Sequence, residues 1–242
     1  MRGATNLEKE NCPLYPFYKD KTDDVCDENR SENIAVKARY KNANIPSEYR
    51  DVYVSNSVVR NAQPEMYKLL DVYIKTFSNS GIQIKNLYLY STETGTGKTT
   101  TAIALLSEYI RRRFLYYVKN GQRVPENIAY FLDLNEIQTR YNLATMSSNQ
   151  DELRNIADEI SFCQSIEFLV VDDVGVRSVT ESFRTLIHSV VNARVSNKLP
   201  TVYTSNVAME DLNEIFDQRV YDRIRDQTQV FTFGGESKRG KR

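Results

Sequence analysis

A glycine-bearing turn ending in Gly-Lys-Thr lies between a short apolar run and a segment of helical periodicity. The apolar run is Leu87–Tyr90, and the helical segment begins at Lys98. A strand, a glycine turn and a helix in this order form a loop that holds a nucleotide polyphosphate, because glycine backbone can wrap the β-phosphate and point its N–H groups inward. The predicted phosphate-binding residues are Thr94, Gly95, Thr96, Gly97, Lys98, Thr99 and Thr100.

Two side chains of this loop have defined roles in such a motif. The Lys98 ammonium would contact the β- and γ-phosphate oxygens, and the Thr99 hydroxyl would bind the Mg²⁺ that bridges them. The motif has one departure, since Thr92 stands five residues before Gly97, where the full pattern has glycine. A chance Gly-Lys-Thr in a surface turn is the simpler alternative, which the flanking strand and helix disfavour.

Overall charge and composition exclude several classes of protein. The 242 residues include 32 basic and 32 acidic side chains, so any contact with nucleic acid would depend on a local patch. No apolar run reaches the length of a membrane span, and the N-terminus lacks the apolar core of a signal peptide, so we expect a cytoplasmic protein. The cysteines are too scattered for a disulfide scaffold or a four-ligand zinc site; they are Cys12, Cys26 and Cys163.

The chain divides into two segments of different composition. Residues 1–43 are rich in Lys, Asp, Glu and Asn and show no lasting helical or strand period, which predicts a mobile or loosely folded arm. Its aromatic cluster, Cys12–Tyr18, would either dock on a partner or fold back onto the chain's own domain. Residues 44–242 are globular in character and contain no internal repeat.

Short apolar runs alternate with helical segments through this second part. The run Phe168–Val171 is apolar throughout, which indicates burial on both faces, as in a parallel sheet. The alternation predicts a doubly wound α/β fold. The predicted strands are Leu87–Tyr90, Ile128–Leu132, Phe168–Val171, Pro200–Asn206 and Val230–Phe233, and the later helices are Leu134–Met146, Asp151–Phe162, Phe183–Val191, Met209–Phe216 and Gln218–Arg225.

Polar residues follow the third and fourth predicted strands. Asp172 and Asp173 come directly after the most apolar strand, at the carboxyl end where open α/β sheets bind ligands. One carboxylate would hold Mg²⁺ and its neighbour would orient or deprotonate an attacking water. Asn206 ends the fourth strand and would hydrogen-bond the γ-phosphate or the water. The alternative for all three residues is a role as turn formers.

Four segments, in order, resemble one family. Phe168–Gly175 resembles the Walker B run of the DnaC/DnaI-type bacterial helicase loaders and their IstB-type transposition relatives, and Pro200–Asn206 resembles their sensor 1 strand. Arg219–Ile224 is similar to their arginine-finger helix, and Ile45–Asp51 to the start of their ATPase domain. The resemblance covers about residues 44–240. It implies a P-loop NTPase of the AAA+ class, with a five-stranded parallel sheet in the order 5-1-4-3-2.

The resemblance also implies roles for single residues. Asp172 would support the metal, Asp173 would act on the water, and Asn206 would be the sensor 1 residue. Arg223 would be an arginine finger that acts on the ATP of a neighbouring subunit, so that hydrolysis would require a homo-oligomer. Arg239 is a candidate sensor 2 arginine, or else part of a frayed basic tail.

The function that the resemblance implies is an ATP-dependent loader of a replicative DNA helicase that contacts single-stranded DNA. The two helices between the second and third strands match the insertion that the family uses for this contact. The candidate residues there are Arg140, Tyr141 and Arg154, because a cation and an aromatic ring suit backbone charge and base stacking. Two alternatives stay open: an IstB-like transposition helper that binds duplex DNA, and a nucleotide-binding adaptor with negligible turnover.

Overall fold

The computed structural model describes residues 31–78, 84–175, 180–214, 216 and 218–235, together with Leu14 and Phe17, but not the side chains of residues 214, 219 and 220. Five parallel strands form one sheet in the order β2-β3-β4-β1-β5. This is the predicted order read from the opposite edge, so the predicted fold is confirmed. The strands are β1 Asn86–Tyr90, β2 Ala129–Asp133, β3 Phe168–Asp172, β4 Thr201–Ser205 and β5 Thr228–Thr232.

Helices cover both faces of the sheet. The core on one face is formed with α1 to α3, and the core on the other with α4 to α7. The helices are α1 Ser31–Asn42, α2 Pro64–Tyr73, α3 Lys98–Lys119, α4 Leu134–Met146, α5 Gln150–Ser165, α6 Glu181–Ser196 and α7 Gln218–Gln227. The segment predicted as a helix at Met209–Phe216 is a 3₁₀-helix, Met209–Glu214. In the described parts of the chain, no helix combines the length and apolarity needed to cross a bilayer.

The order of the strands positions the two predicted halves of the site. β4 lies between β1 and β3, so the loop after β1 and the acidic residues at the end of β3 are separated by a single strand. The four residues of the apolar run in β3 are buried, as predicted, and so is Asp172 at the end of the strand. Because all strands are parallel, their carboxyl ends meet at one edge of the sheet. The loop, the acidic pair and the end of β4 therefore lie at that edge.

The prediction of a loosely folded arm as far as residue 43 is wrong for residues 31–42, which form α1. Val36 and Tyr40, four residues apart, are buried in the core against α3. Arg39 donates hydrogen bonds to the carbonyl oxygens of Val124 and Pro125, which tie α1 to the loop before β2. The polar composition of the segment conceals this helix, because only one narrow stripe of α1 is apolar.

Two residues of the aromatic cluster also contact the domain. Leu14 is buried in the same core as α1. The Phe17 ring centroid lies 5.3 Å from the Arg111 guanidinium and 5.2 Å from that of Arg112, both on α3. These two residues therefore fold back onto the chain's own domain. Cys12, Cys26 and Arg239, which entered the sequence-based hypotheses, lie outside the described residues.

Arg194 braces the core on the α4 to α7 side. Its side chain is 0% exposed and donates hydrogen bonds to Thr201 Oγ1 at 2.8 Å and to the carbonyl oxygens of Cys163 and Ile166 at 2.9 and 2.8 Å. Burial lowers the pKa of Arg194 to about 10, so the side chain stays charged at neutral pH. The guanidinium links the end of α5, helix α6 and strand β4.

Arg194→Ala is expected to lower the free energy of unfolding by about 3 kcal/mol, because it leaves buried carbonyl groups unpaired and opens a cavity. Urea denaturation followed by circular dichroism measures the loss. Arg225→Ala is the control: Arg225 is half-exposed and paired with Asp222 and Asp226, and its loss should cost less than about 1 kcal/mol. Similar losses in the two variants would contradict the bracing role.

Candidate nucleotide-binding site

The loop between β1 and α3 is shaped by its backbone. Gly95 and Gly97 have φ angles of +74° and +102°, which favour glycine. A Cβ atom on Gly97 would lie 2.4 Å from Val59 Cγ2, so no larger residue fits. The Thr96 hydroxyl is buried and has no hydrogen-bond partner within the described structure. The loop leads into the N-terminus of α3, a helix of 22 residues whose first N–H groups and dipole favour an anion.

The Lys98 side chain lies along this loop. It is 8% exposed, and its Nζ donates hydrogen bonds to the carbonyl oxygens of Ser91 at 3.2 Å and Glu93 at 2.9 Å. Thr94, by contrast, is exposed, and Thr100 is half-buried in the first turn of α3. The ammonium group is therefore held beside the backbone that would surround a phosphate.

Thr92 does not distort the entry to the loop. It is not among the described residues with positive φ, so its backbone angles suit a residue with a side chain. The Glu93 N–H donates to Ser91 Oγ at 3.2 Å, which closes the turn without a glycine. The departure from the full motif is thus accommodated by a serine-centred turn.

The loop and the acidic pair are in direct contact. Thr99 Oγ1 donates to Asp172 Oδ1 at 3.0 Å, and Thr204 Oγ1 donates to the same oxygen at 2.6 Å. Burial raises the pKa of Asp172 to about 6, with a contribution from the neighbouring charge of Asp173, while the two hydroxyl donors oppose the shift. Asp172 is therefore mostly ionised at neutral pH. A hydroxyl and a carboxylate oxygen side by side are ligands that suit Mg²⁺.

Asp173 is held in an unusual backbone conformation, with φ of +58°. Such angles are uncommon outside glycine, and residues that adopt them cluster at functional sites. The Asp173 N–H donates to Thr204 Oγ1 at 2.9 Å, and Asn135 Nδ2 donates to Asp173 Oδ2 at 3.0 Å. Asn135 lies in the first turn of α4, where Asp133 caps the helix by accepting from the N–H groups of Asn135 and Glu136. The second carboxylate is therefore positioned from two neighbouring elements.

Sequence reasoning missed Thr204 and Asn135. Thr204 and Asn206 both belong to the polar end of the fourth predicted strand, but only Asn206 was assigned a role from the sequence. Asn135 lies three residues after the end of the predicted strand Ile128–Leu132, and nothing in its local pattern distinguishes it from an ordinary first-turn residue.

Asn206 lies beside the segment Asp173–Gly175, which follows β3, whereas Arg223 does not. The Asn206 amide faces Gly175, two residues after Asp173. Arg223, on α7, donates to Asn192 Oδ1 on α6 at 2.5 Å, and no contact of the described residues joins it to the phosphate loop. Among the described residues, the candidate site thus brings together Lys98, Thr99, Asp172, Asp173 and Asn206, but not the predicted finger Arg223.

Two of the candidate DNA-contact residues serve the packing of the hairpin α4–α5. Arg140 donates to Glu152 at 2.8 Å and to Glu159 at 2.7 Å, and the hydrogen bonds to these two carboxylates raise its pKa despite partial burial. The Tyr141 ring lies 5.7 Å from that of Phe183 on α6. Arg154 differs from both, since its side chain is 77% exposed.

Comparison with known proteins finds relatives among the replicative helicase loaders. DnaC, the replicative helicase loader of Escherichia coli (strain K12), is 27% identical over 142 residues, which are 57% of this chain and 49% of DnaC. The replicative helicase loader DnaI of Bacillus subtilis (strain 168) is 25% identical over 155 residues, which are 62% of this chain and 42% of DnaI. The chain therefore spans about half the length of these curated relatives or less.

A solved structure and a family model each match a larger share of this chain than these two relatives do. The crystal structure of the DnaC helicase loader superposes with a TM-score of 0.56 at 20% identity and covers 78% of this chain and 100% of that chain, a likeness of fold. Residues 82–242, which include the phosphate loop, the acidic pair and Asn206, match the model of the IstB-like ATP binding protein family. Because this match covers well over half of the chain, the chain belongs to the IstB-like ATP binding protein family.

Proposed function

We propose that this chain hydrolyses ATP and acts in DNA replication as a loader of a replicative DNA helicase. The observation that carries the proposal is the hydrogen bond from Thr99 to Asp172, which joins the phosphate loop to the acidic end of β3 in an ATP-binding family member. Two relatives, DnaC and DnaI, are themselves replicative helicase loaders. Support for hydrolysis comes from Asp173 and Asn206, which flank the same edge of the sheet.

Each residue has a chemical role in this proposal. The Lys98 ammonium and the N-terminus of α3 bind the β- and γ-phosphates. The Thr99 hydroxyl and the Asp172 carboxylate would hold Mg²⁺, which would supply positive charge beside the phosphate oxygens. Asp173 accepts a hydrogen bond from the attacking water and takes its proton, while Asn135 keeps the carboxylate in place. The Asn206 amide donates to the γ-phosphate or the water.

Different parts of the chain serve different steps of loading. Residues 44–242 form the ATPase domain, with α1 packed against it. The helicase contact is assigned to the other residues of the segment 1–30, because Leu14 is buried in the domain core and Phe17 contacts Arg111 and Arg112. Single-stranded DNA contacts Arg154 rather than Arg140, because Arg154 is highly exposed and pairs with one exposed carboxylate, Asp151, whereas two carboxylates occupy the Arg140 guanidinium. ATP hydrolysis takes place in a homo-oligomer, in which Arg223 reaches a neighbouring site.

Lys98→Ala tests the nucleotide site and the helicase together. We expect ATP affinity to fall by roughly 10- to 100-fold, because a charge-assisted contact with the phosphates is lost. Isothermal titration calorimetry measures the affinity. In a pull-down from the native host, the parent chain should capture a hexameric replicative helicase in an ATP-dependent way. Lys98→Ala should lose that dependence.

Lys119→Ala is the matched control, since Lys119 is an exposed lysine at the other end of α3. It should leave ATP affinity and helicase capture unchanged. A parent chain that binds ATP but captures no helicase would contradict the loader function and leave the nucleotide site intact.

A transposition helper is a second candidate function, favoured by the match to the IstB-like family model. It predicts that the chain prefers duplex over single-stranded DNA of equal length, measured by fluorescence anisotropy at one salt concentration. The loader function predicts the opposite preference. An adaptor with negligible turnover predicts ATP binding without release of phosphate at any protein concentration.

A further inference from the structure

Gly175 approaches the end of β4 more closely than any side chain would allow. A Cβ atom on Gly175 would lie 2.6 Å from Asn206 Oδ1, 2.7 Å from Val207 Cγ2 and 2.9 Å from Ser205 Oγ. Each distance is below 3.0 Å, a separation that real Cβ atoms essentially never show. Gly175 is not among the glycines with positive φ in the described chain, so the constraint here is space and not backbone conformation.

The backbone around Gly175 is tied to β4. The Val174 N–H donates to the carbonyl oxygen of Thr204 at 2.9 Å, and the Asp173 N–H donates to Thr204 Oγ1 at 2.9 Å. Val174 is also buried. The loop Asp173–Gly175 therefore cannot move away from β4 without breaking two hydrogen bonds and exposing Val174.

The residues at the end of β4 that face Gly175 are also held in place by hydrogen bonds. The Val207 N–H donates to Ser205 Oγ at 3.0 Å, and the Val207 carbonyl oxygen accepts from the Tyr88 hydroxyl at 2.7 Å. Of the three residues that a methyl group on Gly175 would meet, Asn206 is exposed, whereas Ser205 and Val207 are buried. The Asn206 amide also lies at the end of a rotatable side chain. An added methyl group would therefore displace this amide first.

We propose that Gly175 is a positioning residue for ATP hydrolysis, because its missing side chain sets where the Asn206 amide stands relative to Asp173. This inference rests on the proposed function. Gly175 acts through Asn206 and touches no substrate. Lys98 and Thr99 bind the phosphates from the far side of β4, so a change at Gly175 acts on turnover and not on ATP affinity.

The test is a double-mutant cycle of Gly175→Ala and Asn206→Ala. In the parent background, Gly175→Ala should lower kcat by about 10-fold or more and leave ATP affinity within about twofold. In the Asn206→Ala background, the same change should lower kcat by a clearly smaller factor, because the amide that it displaces is already absent and only the contacts with Val207 and Ser205 remain. An unchanged kcat in Gly175→Ala, or the same fold loss in both backgrounds, would overturn the proposal.

Gly234→Ala is the matched control, since no atom of the described residues lies within 4 Å of its added Cβ and its φ is not positive. Its kcat should equal that of the parent. Thermal melting of the four cycle variants provides a readout independent of hydrolysis: Gly175→Ala should lower Tm less in the Asn206→Ala background than in the parent. Equal losses of Tm would overturn the contact. A parent that binds ATP without turnover would instead contradict the proposed function, and the melting cycle would still decide the contact.

Discussion

Arg223→Ala is expected to lower ATP turnover by about 10³-fold, the scale of arginine fingers in other nucleotide hydrolases, and to leave ATP binding unchanged. Within one chain, Arg223 bonds Asn192 on α6 and no described contact joins it to the phosphate loop. Its guanidinium would therefore stabilise transition-state charge only across a subunit boundary. Phosphate release measured against protein concentration provides the test: specific activity should rise with concentration in the parent and stay flat in the variant.

A mixing experiment separates a finger from a structural arginine. A Lys98→Ala subunit has lost its own phosphate contact but can still supply Arg223 to a neighbouring subunit. An Arg223→Ala subunit keeps an intact phosphate-binding loop on which that arginine can act. A mixture of the two inactive variants should therefore recover measurable turnover. Arg225→Ala, a half-exposed arginine on the same helix, should match the parent. Full turnover in Arg223→Ala alone, or a mixture that stays as inactive as its two components, would contradict a shared site.

Asp173→Asn is expected to lower kcat by about 10²- to 10⁴-fold while ATP affinity stays within about twofold. The asparagine side chain is close in size and can still accept the hydrogen bond from Asn135, but it cannot take a proton from water. Asp172, which contacts Thr99, is untouched, so the metal ligands remain. Single-turnover hydrolysis and equilibrium ATP binding, measured on the same preparation, distinguish the two effects.

Asp158→Asn is a suitable comparison, because Asp158 is an exposed carboxylate on α5 away from β3. It should hydrolyse ATP at the parental rate. If Asp173→Asn also hydrolyses ATP normally, the proton acceptor lies elsewhere. If it loses ATP affinity as well as turnover, Asp173 contributes to binding and its assigned role is wrong.

Local pattern predicted the parts of the molecule whose signal lies within a few consecutive residues. The apolar run Phe168–Val171 predicted a strand buried on both faces, and the glycine turn before Lys98 predicted a loop between a strand and a helix. Helical spacing predicted most of the remaining elements to within a few residues. Resemblance to a family supplied the order of the strands, which brings Thr99 to Asp172.

Other features depend on contacts between distant parts of the chain. The polar segment of α1 is helical because Val36 and Tyr40 pack on α3, so a narrow apolar stripe outweighs an otherwise polar composition. Asn135 became part of the candidate site only because the sheet places the start of α4 beside the end of β3.

The sequence by itself determined the chemistry available to this protein: a lysine and a threonine after a glycine turn, and two carboxylates after a buried strand. Only the tertiary structure decided how these groups are held, through Thr204, Asn135 and the space beside Gly175. The physical reason is that hydrogen bonds and steric contacts join groups a few ångströms apart in space, which can be distant in sequence. Periodicity and motifs describe only residues that are close together along the chain.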